Sequence, residues 1–299
     1  MPDVIVYLSS ILKKTPGRKT EVLLAFAEGA RQAGADVRVE TEYVYTPAKL
    51  AVILGWPSPE QTSPNIKLRA EIVDRQQQSG NHVMCIDGNC FKFLDQTSKY
   101  LRYSLDSPYY DTGEYANKNS NADQWNQLSQ DIGVSLTDWK TTGDHILLLL
   151  QRNGGFGMKG LDPIKWAQDK IKAIRQHTNM PIVLRPHPGK ISDTSVLVAP
   201  GITISDSKTR SLMLDLKPAR AAFVFNSSSG VAAVLAGVPL WVDDPSSVCW
   251  AVANTDIGTL TNPLYPDRTQ WLHDLAACHW TDEESRAGLI YKKFLPYLT

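Results

Sequence analysis

Short apolar runs, each closed by turn chemistry and separated from the next by a stretch with helical spacing, recur along most of this 299-residue chain. Residues 4–8 form the first run, residues 20–33 carry apolar side chains at helical spacing up to Gly34, and residues 37–39 and 50–54 form two further runs. Gly55-Trp56-Pro57 closes the third; a helical stretch at 66–78, stopped by Gly80, leads to a fourth at 82–86 that ends in Asp87-Gly88-Asn89. Apolar runs of this length are strands buried on both faces, and strand–helix alternation builds a parallel sheet with right-handed crossovers.

A second series begins at residues 145–150 and runs into Gln151-Arg152-Asn153-Gly154-Gly155-Phe156-Gly157. Asp162 as N-cap and Pro163 at the first helical position predict a helix to about residue 177, and strands are expected at 182–184, 202–204, 222–225 and 240–242. Two series predict two domains, residues 1–143 and 144–299, with the division at the polar stretch around Gly143. A helical tail over 269–298 is expected to cross back onto the first domain. Between the series, residues 99–142 scatter Tyr and Trp among Asn, Asp and Ser, which reads either as an acceptor-binding excursion or as an insertion packed on the sheet by its aromatics.

Composition narrows the classes of function. With 42% hydrophobic residues the chain is globular, and its longest apolar runs, such as 146–150, are far shorter than a membrane span. The start of the chain lacks signal-peptide character, so a soluble cytoplasmic protein without a membrane partner is expected. Lys plus Arg equals Asp plus Glu at 31 each, less basic than a protein that lives by nonspecific phosphate contacts. The local patch Lys13, Lys14, Arg18 and Lys19 is either a solvated loop or, with Arg102, the place where an anionic acceptor is met. Cys85, Cys90, Cys249 and Cys278 show no Cys-x-x-Cys spacing or adjacent His cluster, so reduced, mostly buried thiols and no metal site are expected.

Ligands of open α/β sheets bind outside the carboxyl ends of the strands. Two polar segments fall there: Arg185-Pro186-His187-Pro188-Gly189, and Asn226-Ser227-Ser228-Ser229-Gly230 ahead of the small-residue helix 231–236. Hydroxyls and free amides at a helix start suit a phosphate, although serines are also ordinary N-caps. The prolines flanking His187 hold its backbone extended, so the imidazole could serve a diphosphate with Arg185 as second cation, or simply cap a turn. The two loops are expected on neighbouring strands. Gly154 and Gly155, beside Arg152, allow a backbone to approach a ligand closely, but the segment is neither Gly-x-Gly-x-x-Gly nor a P-loop, which argues against dehydrogenases and ATPases. Asp87 is a general base or the first residue of an Asp-Gly turn; Asp106, Asp111 and Glu114 are rivals for the base.

The two α/β series, the His187-Pro188 loop and the run from Asn226 to Pro239 together resemble glycosyltransferases of the GT-B architecture, in which two Rossmann-like domains face each other across a cleft. In polysialyl- and capsule-type members of that class a His-Pro motif and a Ser motif bind the donor nucleotide, here His187-Pro188 and Ser227-Ser228-Ser229. Stretches at 100–105, 139–151, 184–188, 225–244 and 266–280 are also similar to phage proteins associated with glycosylation of hydroxymethylated DNA bases. The resemblance implies a nucleotide-sugar donor, UDP-sugar favoured, bound by Arg152, Gly154, Gly155, Arg185, His187, Asn226, Ser227, Ser228, Ser229 and Gly230, with no tightly bound cofactor and no metal. It implies a hydroxyl acceptor, most simply a 5-hydroxymethylpyrimidine in DNA, activated by Asp87 and met by Lys13, Lys14, Arg18, Lys19 and Arg102. A surface-glycan transferase with a CMP-sugar donor and a non-catalytic nucleotide- or sugar-binding module are the alternatives. Asp243 and Asp244 are candidates for a donor-ribose partner without a clear match.

Overall fold

The computed structural model describes residues 1–11, 17–58, 62–94, 99–189 and 193–298. In chain order the first elements are β1 (Val4–Tyr7), α1 (Arg18–Gln32), β2 (Val37–Glu40), β3 (Leu50–Leu54), α2 (Pro64–Gln78), β4 (His82–Gly88), β5 (Leu101–Leu105) and α3 (Asp123–Ile132). Then follow β6 (His145–Leu149), α4 (Pro163–Arg175), β7 (Ile182–Arg185), β8 (Ile202–Ile204), α5 (Leu212–Leu216), β9 (Ala219–Val224), α6 (Ser229–Leu235) and β10 (Leu240–Val242). The chain closes with α7 (Thr269–Ala276), β11 (His279–Trp280), α8 (Asp282–Arg286) and α9 (Leu289–Phe294). No helix among the described residues is long and apolar enough to cross a membrane.

The chain divides into two compact α/β units, Met1–Leu128 with Leu272–Thr299, and Ser129–Trp271. The sequence pattern put the division at 143/144 instead. Unit 1 holds a sheet in the order β11-β5-β4-β3-β1-β2, in which β2, β1, β3 and β4 are parallel, β5 is antiparallel to β4, and β11 is antiparallel to β5. Val4 and Val6 pack against Val22, Leu23, Phe26 and Ala30 of α1, while Ile5 and Ile53 on the other face meet Leu68 and Ile72 of α2. Both faces are covered, which is why these strands read as unbroken apolar runs. The antiparallel extension is what the sequence reading missed: residues 99–142 contain β5 and α3 and are not a loop throughout.

His279 ties the C-terminal segment to the interior of unit 1. Its Nε2 accepts the Cys90 amide at 2.9 Å and its Nδ1 faces the Leu275 carbonyl at 2.7 Å. Burial lowers its pKa to about 3, the neutral form with the proton on Nδ1 that these two partners require. Nearby, α1 meets the α8–α9 turn backbone to backbone, since a Cβ on Gly29 would stand 1.8 Å from the Ser285 carbonyl oxygen. Gly29→Ala is therefore expected to cost about 3 kcal/mol by overpacking, more than the helix propensity of alanine returns. Urea unfolding reads this as a lower midpoint, and a midpoint at or above wild type would contradict this packing.

Unit 2 carries a fully parallel sheet in the order β10-β9-β6-β7-β8. One face buries Ile146, Leu148, Ile182, Leu184 and Phe223 against Trp166, Ala167 and Ile174 of α4. Asp162 caps α4 by accepting the Ile164 amide at 2.8 Å, with Pro163 first in the helix as expected. From β6 the chain moves outward through β7 and β8, then returns to place β9 on the other side of β6. That reversal is a topological switch point, where the loops leaving neighbouring strands diverge and open a crevice.

Candidate donor site at the switch point

The loops leaving β6, β7 and β9 carry the residues singled out from the sequence. β7 and β9 are not neighbours as expected, because β6 lies between them. The glycine segment after β6 is thus the central loop of three. Two amides lock it to the β9 loop: Gln151 Oε1 accepts the Asn226 main-chain N–H at 3.1 Å, and Gln151 Nε2 donates to Asn226 Oδ1 at 2.9 Å. Asn226 Nδ2 then donates to the Gly157 carbonyl at 2.7 Å and the Ser246 hydroxyl at 2.8 Å. A Cβ on Gly157 would lie 2.9 Å from Gln151 Nε2, so glycine is needed for the lock to close. Asn226 is a strut that uses its whole amide internally. Gln151 was missed as a site residue, though one signal was present: a carboxamide directly follows each of the apolar runs 145–150 and 221–225.

The three serines take different parts. Ser229 is buried and donates its hydroxyl to Ser227 Oγ at 2.9 Å, while its amide donates there at 3.2 Å. Ser227 Oγ accepts both, which leaves its own hydroxyl proton to donate outward. Ser228 is half-buried, and its hydroxyl makes no hydrogen bond among the described residues. Gly230 is buried; a Cβ there would stand 2.8 Å from Leu240 Cδ2 and 3.3 Å from Cys249 Sγ. Ser229 and Gly230, expected as ligand contacts, are framework residues that let α6 lie close to its sheet.

His187 is half-buried, and its Nδ1 accepts the Gly189 amide at 2.9 Å. That bond places the proton of the neutral ring on Nε2, making Nε2 the donor nitrogen. Arg152 is exposed, makes no side-chain hydrogen bond or ion pair among the described residues, and passes over Gly155, where a Cβ would stand 3.6 Å from its Nε. Gly154 has φ +65, a left-handed conformation that an alanine would strain.

Arg185 does not join this set. It is 8% exposed and donates to Asp215 Oδ2 at 2.6 Å, Ser205 Oγ at 3.4 Å and the Arg210 carbonyl at 2.7 Å. Asp215 also accepts Arg210 Nε at 2.6 Å and the Ser205 hydroxyl at 2.6 Å. Burial alone would raise the Asp215 pKa, but the bonds from Ser205, Arg210 and Arg185 outweigh it and hold the carboxyl below its usual 3.8. Arg185 thus anchors the base of the His187 loop. Asp243 and Asp244 are also engaged: Asp243 accepts Trp166 Nε1 and Lys170 Nζ at 2.6 Å each, and Asp244 accepts Lys159 Nζ at 2.8 Å.

In unit 1 the expected acceptor residues are largely committed elsewhere. Arg102 is 9% exposed and donates to Asp87 Oδ2 at 3.1 Å, with Cys90 Sγ 3.6 Å away and the Tyr115 ring centroid at 5.7 Å. It is not available to an acceptor in this arrangement. Asp87 Oδ1 accepts the Gly88 amide at 2.8 Å within β4, opposite Arg102, so Asp87-Gly88 is strand and not the turn expected from the sequence. Asp106 is held by the Val83 amide and His82 Nδ1, each at 2.8 Å; Glu114 accepts the Ala116 amide at 2.6 Å; Asp111 is exposed. Arg18 and Lys19 form the first turn of α1 instead of a loop, with Arg18 paired to Asp282 and Lys19 exposed. Lys13 and Lys14 lie outside the described residues. Tyr100, Tyr103 and Tyr115 are buried, which is the packing alternative for those aromatics, and all four cysteines are buried and free. No group of three or more His, Cys, Asp or Glu converges as a metal site among the described residues.

No protein-family model matches the chain, and no curated protein matches it in sequence. Among solved structures it is similar to the β-Kdo 2,4 transferase KpsC of Thermosulfurimonas dismutans, with a TM-score of 0.58 at 13% identity over 92% of this chain and 89% of that one. The β-Kdo 2,7 transferase KpsC of the same organism aligns over 97% of this chain and 99% of its own, at 15% identity and a TM-score of 0.49. The glycotransferase of kitacinnamycin aligns over 99% and 75%, at 13% identity and a TM-score of 0.33. At these identities the first likeness shows the fold alone: a mixed α/β protein of two Rossmann-like units, in keeping with the GT-B class.

Proposed function

We propose that the chain is a glycosyltransferase that moves a sugar from a nucleotide-diphosphate donor, UDP-sugar favoured, to the hydroxyl of a 5-hydroxymethylpyrimidine in phage DNA. The observation that supports sugar transfer is that Arg152, His187, Ser227 and Ser228 sit on loops leaving three adjacent strands, β6, β7 and β9, at one switch point, where they offer one guanidinium, one imidazole donor and two hydroxyls. In this reading the bond from the anomeric carbon to the phosphate oxygen breaks as the acceptor oxygen bonds to that carbon. Nε2–H of His187 and the guanidinium of Arg152 stabilise the charge growing on the leaving phosphate, an electrostatic role that a metal fills in other transferases. Asp87 is the proposed base that takes the acceptor proton, with Arg102 donating to its other oxygen. The DNA acceptor rests on the sequence resemblance, and a cytoplasmic location goes with it.

A second reading, a CMP-sugar donor and a surface-glycan acceptor, has two observations in its favour. Arg185 is withdrawn into its pair with Asp215, which leaves less positive charge than a diphosphate favours and enough for a single phosphate. The similar fold with a TM-score of 0.58 belongs to a β-Kdo transferase. Incubating the protein with UDP- and CMP-sugars, hydroxymethylated DNA and capsule-type oligosaccharides, then examining nucleosides and glycans by mass spectrometry, separates the readings. A glycosylated nucleoside, lost in Asp87→Asn with nucleotide binding intact, is the expected product. A modified glycan would replace the DNA acceptor; nucleotide binding without turnover on any acceptor would leave a binding module.

A further inference from the structure

A crevice of about 420 Å³ opens on unit 2, lined from the amino-terminal end of β6 by residues of β7, β8 and α5 and by none of the residues of the three loops. Asp144, Thr203, Asp206 and Arg210 line it with Asp215 behind them, and Ile204, 37% exposed, adds an apolar wall. His145, 8% exposed, lines its inner end, and its Nε2 is buried without a hydrogen-bond partner among the described residues. Burial holds this imidazole in its neutral form by lowering its pKa. An unpartnered buried ring nitrogen costs stability unless something completes it.

The lining decides what chemistry fits. With Asp215 paired to Arg185 and Arg210, the carboxylates of Asp144 and Asp206 set the charge of the lining, so an anion is repelled. A metal ion finds no converging ligand set among the described residues, Asp215 is already neutralised by two arginines, and Asp206 accepts from Lys208 and Thr209. What remains is a mixture of uncommitted polar groups. The Asp144 carboxylate and Thr203 hydroxyl make no side-chain hydrogen bond among the described residues, and Arg210 uses Nε and Nη2 internally, which leaves Nη1. One acceptor, one hydroxyl and one donor beside an apolar wall match the alternating hydroxyls and C–H face of a sugar ring.

We propose that this crevice is a second ligand site that takes a neutral saccharide, its hydroxyls shared among Asp144, Thr203 and Arg210, with one reaching inward to complete His145 Nε2. The site stands independently of the donor reading, because it shares no residue with the loops that carry Ser228 and His187. Saturation-transfer NMR and titration with glucose, galactose, mannose, N-acetylglucosamine and their β-linked trisaccharides test it on the full chain. At least one probe is expected to bind, and Asp144→Asn and Thr203→Val, at two exposed positions, to weaken it roughly tenfold each. Ser228→Ala should leave that binding unchanged. Failure of every probe to bind, equal binding by the Asp144 and Thr203 variants, or loss of binding in Ser228→Ala would each overturn the assignment.

Discussion

Asp215→Ala is expected to destabilise the protein by roughly 3–5 kcal/mol, the usual consequence of removing one partner from a buried ion pair. Asp215 is 3% exposed and accepts from Arg185, Arg210 and Ser205, so its removal strands the buried guanidinium of Arg185 and releases Arg210. The loss has a pH signature. Because the folded carboxyl titrates below 3.8, its contribution is complete above that value and disappears as pH falls through the lower folded pKa. Urea midpoints of wild type and Asp215→Asn should therefore keep a constant gap above 3.8 and draw together as pH falls below it. Parallel curves below that value would contradict the ion-pair account. Arg185 also begins the His187 loop, so Asp215→Asn should weaken nucleotide binding more than its stability loss alone explains, and Asp215→Glu should restore part of it.

His187→Ala should lower turnover by about 10²–10³-fold, the effect of removing one preorganised donor from developing charge. The Gly189 amide bond to Nδ1 commits the neutral ring to presenting Nε2–H. His187→Gln, whose amide can donate from a similar position, should recover part of kcat. Because the interaction is strongest on the leaving group, the change is expected in kcat more than in KM. Steady-state kinetics on the sugar-transfer reaction checks this, and wild-type kcat in His187→Ala would remove the imidazole from the site.

Strands buried on both faces were legible because they are continuous aliphatic runs, and the α4 start was legible because Asp162 and Pro163 act locally. The errors trace to partners distant in sequence. The segment Leu101-Arg102-Tyr103-Ser104-Leu105 alternates polar and apolar residues among loop-like neighbours, so β5 was not seen. Once β5 is placed, Asp87 stands opposite Arg102 in the antiparallel register, and one missed strand accounts for reading both as free functional groups. Arg185 was misread for a similar reason, since nothing near residue 185 points to Asp215, thirty positions later. The local geometry of His187 and Ser228 follows from nearby residues, the flanking prolines and the turn into α6.

A nucleotide bound at the β6–β9 switch point would lie against the loops leaving β6, β7 and β9. Hydrogen exchange of the full chain with and without UDP or CMP reads that directly. Protection gathered at residues 151–157, 186–189 and 226–229, and absent in Ser228→Ala, is the expected result. Protection confined to other segments, or none with either nucleotide, would contradict it.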